Sequence, residues 1–384
     1  MNVAYIPVRG GSKSIPKKNI KLFCGMPLVY WTIKACVECE RIDVVYIATD
    51  CEIIKNTVNS FGFDKVTIVG RSEESSSDTA STECAMLEFA AEYEFDNIVL
   101  VQATSPLLSA EYLYSGFDRF FQEDIDSVLS VVTQKRFIWE LKSDNTARAT
   151  NYDYYNRPRR QEFAGYYVEN GAFYITTRSR LLKSKCRISG KIGIVEMPEA
   201  TYFEIDEPSD WEIMEALMRK EINKNIKKPS KIKMFLTDCD GTLTDGGMYY
   251  SENGEQLKRF NAHDGQGFAF LKDHGIITGI ITGESSKFAM ERAKKLKLDE
   301  CLLGVQNKVK AIKELCNNYA IDISQVAYVG DDFNDIEAIM SVGFGACVAD
   351  GNTQARSAAK YVCRNNGGKG AVREVIDIIL NLHI

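Results

Sequence analysis

The chain has 384 residues, 45% of them apolar and 26% charged, with a formal net charge of −6. That length is too great for one ordinary domain and suits two, each able to bury its own core. The acidic balance argues against a nucleic-acid binder, which needs a basic face. Eleven cysteines, odd in number and scattered, do not make a disulfide framework, so a reducing, cytoplasmic compartment is expected. The opening MNVAYIPV is too short an apolar run for a signal peptide, and no segment approaches the ~20 apolar residues of a membrane span.

In chain order, apolar runs at Val3–Val8, Val44–Ala48, Lys65–Val69, Asn97–Val101 and Asp126–Val132 predict strands. Amphipathic stretches such as Leu28–Cys39 and Ser81–Tyr93 predict helices between them, and the lone C-x-x-C of Cys36 and Cys39 reads as packing thiols. Such alternation predicts a mostly parallel α/β sheet that binds ligands at the carboxyl ends of its strands. A last helix follows Ser209, where Ser209 and Glu212 have capping-box spacing and Trp211, Met214, Leu217, Met218 and Ile222 form an apolar stripe. The polar, lysine-rich, proline-containing stretch Asn223–Lys231 reads as a linker. It divides the chain into domains at 1–224 and 232–384, joined by residues 225–231. A new apolar strand, Ile232–Thr237, opens a second α/β series.

Directly after the first strand comes RGGSKSIPKKN, Arg9–Asn19. Gly10 and Gly11 let the backbone approach a ligand, and exposed N–H groups there cradle phosphate oxygens. Arg9, Lys13, Lys17 and Lys18 add positive charge on the same short loop, which suits a triphosphate and offsets charge on a leaving pyrophosphate. The G-x-x-x-x-G-K spacing is absent, and a solvated basic turn is the competing reading. Glu204 and Asp206 sit two apart on a strand-like stretch, so their side chains share one face and suit a Mg²⁺ ion bridging phosphates.

IPVRGGSKSIPKKNI, Arg71 with SDTAST (Ser77–Thr82), VQATSPL (Val101–Leu107), RPRRQ (Arg157–Gln161), ENGAFYI (Glu169–Ile175) and FEIDEPSDW (Phe203–Trp211) follow one another in order. Together they resemble the CMP-sialic acid synthetases and their KDO-type relatives. The resemblance implies a nucleotidyltransferase Rossmann-like domain that transfers CMP from CTP to the anomeric hydroxyl of an acidic sugar. By it, Arg9, Ser12, Lys13, Lys18, Arg71 and Ser81 face CTP, with Lys18 stabilising transition-state charge, while Gln102, Arg160, Gln161 and Asn170 line the sugar pocket. A guanidinium fork suits a sugar carboxylate, and amides suit its hydroxyls. Glu204 stands where the family usually has aspartate, Ser14 where it has glycine, and Val168 where some bacterial members carry arginine.

In the second domain KMFLTDCDGTLTD (Lys233–Asp245) delivers D-x-D-G-T from an apolar strand, followed by ITGE (Ile281–Glu284), Lys308 and GDDFND (Gly330–Asp335). The four elements resemble the haloacid-dehalogenase phosphatases. The resemblance implies that Asp238 attacks phosphorus and Asp240 transfers the proton, with Thr282 and Lys308 on the phosphoryl group and Mg²⁺ on Asp238, the Asp240 carbonyl and Asp331, roles that suit these residue types. DGGMYYSENGEQLKRFNAHDGQG (Asp245–Gly267) and GGKGAVREV (Gly367–Val375) are similar to the KDO-8-phosphate phosphatase group, implying a capless domain and a tetramer. Glu284 with Lys295 is similar to the subgroup acting on nine-carbon 9-phosphates.

The expected architecture is two α/β domains, a Rossmann-like nucleotidyltransferase and a capless phosphatase. The expected function is the dephosphorylation of a nonulosonate 9-phosphate and the transfer of CMP to the free sugar. The same pair of reactions on KDO stays open, as does a C-terminal domain that serves only oligomerisation.

Overall fold

The computed structural model describes residues 1–11, 14–77, 80–225, 232–252, 254–285 and 287–380. The chain forms two compact units. The first comprises Met1–Lys21, Pro27–Asn59 and Phe63–Met218; the second comprises Leu22–Met26, Ser60–Gly62 and Arg219–Ile384. Of the expected linker, residues 226–231 lie outside the described residues.

The first unit is built on β1 (Asn2–Pro7), α1 (Leu28–Glu38), β2 (Val44–Ala48), β3 (Val66–Val69), α2 (Thr82–Glu92), β4 (Asn97–Val101), α3 (Ala110–Phe120), β5 (Ser127–Gln134), β6 (Tyr166–Thr177), β7 (Ile192–Met197) and α4 (Pro208–Asn225). Its seven strands run in the order β7-β5-β6-β4-β1-β2-β3. All neighbours are parallel except β6, which runs against both β4 and β5. Val3, Tyr5, Ile98 and Leu100 pack against Ala85, Met86, Phe89 and Ala90 of α2, so each strand buries an alternate set of side chains under a helix. From β1 the chain winds one way to β2 and β3 and later the other way from β4. The carboxyl end of β1 is therefore a switch point, where loops diverge and leave a crevice. The glycine–lysine loop begins there.

Two local expectations are corrected. Ser209 lies inside α4 rather than at its cap. The Asp210 carboxylate instead accepts from the N–H groups of Asp206 and Glu207, at 3.1 and 2.8 Å, because a proline at the first helical position starts the helix two residues earlier. Glu204 and Asp206 lie on an irregular connector between a short 3-10 turn (Glu199–Tyr202) and α4, not on a strand.

Arg187 ties its segment to α2 by donating to the Glu83 carboxylate at 3.0 Å, with both side chains mostly buried (19% and 23% exposed). The pair holds the Glu83 carboxyl below its usual value despite burial. A lowered carboxyl contributes stability above its unfolded value and loses it as pH falls through the folded one. Glu83→Gln is therefore expected to lower unfolding free energy by about 1 kcal/mol at pH 7. Urea titrations should show that difference closing toward pH 3.

The second unit carries β8 (Met234–Thr237), the hairpin β9 (Tyr249–Ser251) and β10 (Gly254–Leu257), α5 (Ala262–Asp273), β11 (Ile277–Ile281), α6 (Lys287–Leu296), β12 (Glu300–Leu302), α7 (Lys308–Asn318), β13 (Val326–Gly330), β14 (Phe344–Cys347), β15 (Tyr361–Val362) and α8 (Ala371–Ile379). Six parallel strands run β12-β11-β8-β13-β14-β15. Both faces are covered: Phe235, Ile280 and Val329 join one core, and Leu236, Ile281 and Tyr328 the other. That explains why the strands read as continuous apolar runs. Here β8 is the central strand and its switch point lies beside β13. Between β8 and α5, the described residues hold only the two-stranded hairpin, with no larger cap.

Candidate functional site

In the first unit the loop leaving β1 is latched to the connector before α4. Lys18, whose side chain is 14% exposed, donates to the Ile205 carbonyl at 2.7 Å and stands 3.3 Å from Asp206 Oδ1. Ser14 donates to the Asp206 carbonyl, and Asn19 to the Arg9 carbonyl at 3.2 Å. Arg9, Gly10, Gly11, Lys17, Asn19 and Asp50 line part of a cavity of about 330 Å³. Ser12 and Lys13 lie outside the described residues. The Gly10 N–H, expected to meet phosphate, donates to Asp50 Oδ1 at 3.0 Å, a contact the sequence did not signal.

Glu204 packs beside Asp206 and Lys18. Its carboxyl is raised by burial first and by Asp206 next, with Lys18 opposing. Gly171 makes room for it: at φ +67, a Cβ there would lie 2.3 Å from Glu204 Oε1. Gly171→Ala is thus expected to push the carboxylate aside and strain the backbone by about 1 kcal/mol. A tenfold or greater loss of any activity that depends on Glu204, with the fold retained by circular dichroism, is the expected readout.

Other sequence-derived residues are placed differently. Asn170 is 1% exposed and gives its amide to Thr201 Oγ1 at 3.0 Å, while its Oδ1 is buried with no hydrogen-bond partner. The Ser81 hydroxyl accepts from Cys84 N at 3.2 Å, capping α2, and Arg71 donates to the Ser75 carbonyl. Helix-capping geometry competes for a serine side chain with any ligand. Gln102 sits half-buried just past β4, while Arg160 and Gln161 are exposed, Arg160 3.6 Å from Glu199.

In the second unit the switch point collects four motifs. Asp238 follows β8, Thr282 follows β11 and Asp331 follows β13, while Lys308 opens α7. Lys308, 3% exposed, stands 2.6 Å from both Asp238 Oδ1 and Asp335 Oδ1. Burial works against its charge, but the two carboxylates outweigh that and hold it above the usual lysine value. Asp335 also accepts from Tyr328 Oη at 2.6 Å and from the N–H groups of Asp331 and Asp332, which fixes the loop. Asp331 accepts from Thr242 Oγ1 at 3.0 Å, and its other oxygen lies against Gly241, where a Cβ would come within 2.0 Å.

Asp238, Asp331 and Asp335 offer carboxylate oxygens within 4.8 Å of one another. Burial first, with Asp335 adding and Lys308 opposing, pushes Asp238 up to about 7; burial, Asp238 and Asp335 push Asp331 to about 8. An all-oxygen, like-charged set of this kind fits a hard divalent cation such as Mg²⁺, which would relieve the crowding. Asp335 is already taken by four hydrogen bonds, so Asp238 and Asp331 are the carboxylates left for a cation. The third carboxylate of the cluster is Asp335 and not Asp240, whose side chain turns away to Lys258 at 2.8 Å. In the first unit Glu204 and Asp206 supply a pair only.

Thr282 is 2% exposed and accepts from Glu284 N at 3.3 Å. Glu284 is exposed and meets Lys258 at 3.4 Å; the Lys295 that the sequence paired with it is exposed on α6. Lys258 lies within the quoted Asp245–Gly267 segment but was given no role there, because its partners lie 18 and 26 residues away.

Two α/β sheets, each with charged groups gathered at its switch point, define a protein with two phosphate-handling sites. Residues 3–234 match the cytidylyltransferase family model, and residues 303–376 match that of the haloacid dehalogenase-like hydrolases. The chain is 32% identical over 388 residues to N-acylneuraminate cytidylyltransferase A of Danio rerio, covering 99% of this chain and 88% of that one. Over 155 residues it is 40% identical to the 3-deoxy-D-manno-octulosonate 8-phosphate phosphatase KdsC of Escherichia coli strain K12, covering 40% of this chain and 82% of that one. A crystal structure of the Moraxella catarrhalis phosphatase with magnesium, phosphate and KDO is 40% identical, covers 42% of this chain and 91% of that one, and has a TM-score of 0.40. The chain belongs to the N-acylneuraminate cytidylyltransferase family, with a haloacid dehalogenase-like phosphatase domain of the KdsC type in its C-terminal part. Among the described residues no helix is long and apolar enough to cross a membrane.

Proposed function

We propose that this chain prepares and activates a nine-carbon acidic sugar in two consecutive steps. Its C-terminal domain, 232–384, hydrolyses a nonulosonate 9-phosphate. Its N-terminal domain, 1–224, transfers CMP from CTP to the anomeric hydroxyl of the freed sugar and releases pyrophosphate. The carrying observation is that the likeness to an N-acylneuraminate cytidylyltransferase runs the length of the chain while the Asp238–Asp331–Asp335–Lys308 cluster is complete.

In the hydrolysis, Asp238 attacks phosphorus and the bond from phosphorus to the sugar oxygen breaks. A proton on Asp240 passes to that oxygen, leaving an aspartyl-phosphate. Asp240 then takes a proton from the attacking water, which splits the acyl phosphate, frees phosphate and restores Asp238. Lys308 and Thr282 face the charge on the phosphoryl oxygens. Mg²⁺, held by Asp238, the Asp240 carbonyl and Asp331, supplies electrostatic stabilisation of that same charge.

In the transfer, Lys18 faces the phosphates of CTP with Arg9, Ser12, Lys13, Arg71 and Ser81. Asp206, aided by Glu204, holds the Mg²⁺. Gln102, Arg160 and Gln161 contact the sugar. Glu284 and Lys295 recognise the hydroxyls and carboxylate of the sugar phosphate. Exposed Met248, Tyr249, Tyr250 and Leu257 on the β9–β10 hairpin support association into a tetramer. Eleven free thiols suit a cytoplasmic location.

A second reading, the same two reactions on KDO, draws on the 40% identity to the KdsC phosphatase. One assay separates the two. Purified protein with CTP and Mg²⁺ is given sialic acid, KDN or KDO, and pyrophosphate is measured; phosphate release is measured from each sugar phosphate. Turnover of a nine-carbon sugar in both assays is expected. Turnover of KDO alone replaces the first reading with the second.

A further inference from the structure

We propose that Lys258 is a positioning residue for the phosphatase reaction: it holds Asp240 by one oxygen and couples that hold to the sugar-facing Glu284. The inference rests on the reading of the second site as a sugar phosphatase. Lys258 follows β10, and a bridge between Thr244 and Phe260 lays this segment along the loop that carries Asp240. Its side chain is fully buried, with Nζ 2.8 Å from Asp240 Oδ1 and 3.4 Å from Glu284 Oε2. A buried ammonium persists only where acids surround it, so the lysine and the two carboxylates hold one another in place.

The two oxygens of Asp240 are treated differently. Oδ1 takes Lys258 and, at 3.5 Å, Thr244 Oγ1; Oδ2 is buried with no hydrogen-bond partner. One oxygen is anchored and the other is left for proton transfer. The terminal torsion of an aspartate is broad, so without the ammonium the carboxylate would turn freely and its aim would be lost. Glu284 sits two residues beyond Thr282, with its side chain half-exposed. A sugar hydroxyl engaging Glu284 therefore pulls on the same lysine that fixes the proton donor. Binding at one end of the substrate and proton delivery at the other share one side chain.

A purely structural lysine would affect every phosphate ester alike. Asp240 also takes a proton from the attacking water, a step both esters share, so the comparison is made on the first step, ester cleavage in a single turnover, where an alkoxide leaving group needs a proton and p-nitrophenolate does not. In Lys258→Met, the single-turnover rate of sugar 9-phosphate cleavage is expected to fall about 100-fold, with KM and the single-turnover rate of p-nitrophenyl phosphate cleavage within about threefold of wild type. Lys258→Arg, which keeps charge and donors, should lose only about tenfold on the sugar ester and nothing on the aryl ester. The ratio of the two rates is the readout in both variants, so a methionine variant that fails to fold leaves the arginine variant to decide. Equal losses on both esters, or an unchanged sugar-ester rate, overturn the proposal. Wild-type activity on KDO-8-phosphate in place of the nine-carbon ester overturns the substrate reading alone, and the same ratio is then taken with that alkyl ester. A wild-type chain silent on all three esters overturns both.

Discussion

Asp238→Asn is expected to abolish phosphate release, by about 10⁴-fold or more, because the amide cannot attack phosphorus. CMP transfer should stay within twofold, since Lys18, Glu204 and Asp206 all belong to the other unit. Retention of more than a hundredth of the phosphatase rate would remove Asp238 as nucleophile. The substitution has a second, opposite effect on stability. The Asp238 carboxyl is pushed from 3.8 to about 7 by burial, against the pull of Lys308 and with Asp335 adding. A carboxyl raised in the folded state binds its proton more tightly there, so ionising it destabilises the fold progressively as pH climbs from the unfolded value to the folded one. Asparagine never ionises. In EDTA, the variant should therefore unfold at the same temperature as wild type near pH 4 and at a higher one near pH 7.5. The gain should level off above that, because Asp238 is then fully ionised in both states. Saturating Mg²⁺ should narrow the gap by favouring the charged aspartate.

Lys18→Met is expected to lower the rate of CMP transfer by about 10³-fold while phosphate release at the second site stays within twofold. The loss has two physical sources. A cation aimed at the phosphates disappears, and Asp206 loses the ammonium 3.3 Å from its carboxylate. The second source predicts that the variant's response to Mg²⁺ concentration shifts as well as its kcat. The connector should also loosen, because Lys18 donates to the Ile205 carbonyl at 2.7 Å. Hydrogen exchange across residues 203–207 would show it. A variant with kcat within tenfold of wild type would mean that Lys18 serves only to latch the loop.

Much of the fold was legible because its signals are local. Val44–Ala48 and Asn97–Val101 were bounded to the residue, being apolar runs closed by polar neighbours. The strand before D-x-D-G-T and the order of the four phosphatase motifs were equally plain. Local reading failed where two local solutions competed. Ser209 and Glu212 had capping-box spacing, but Pro208 opens the helix and the Asp210 carboxylate closes its first turn instead. Asn170 carried the right chemistry for a sugar, and only the folded chain shows its amide spent on Thr201 and its Oδ1 left unpartnered.

By itself, then, the sequence determined two parallel-rich sheets, the charged residues stationed at their strand ends, and the kinds of phosphorus chemistry those residues suit. Period-two and helical patterns act over a few positions, and they are written in adjacent residues. Only the tertiary structure decided which of these groups meet. Lys18 reaches Asp206 across 188 positions, and Lys308 reaches Asp238 across 70. The Lys258 bridge between Asp240 and Glu284 and the Asp50 carboxylate on the Gly10 N–H likewise join residues that no motif connects. Such pairings follow from strand order and loop direction at the switch points, which depend on how the whole sheet packs and not on any short stretch of chain.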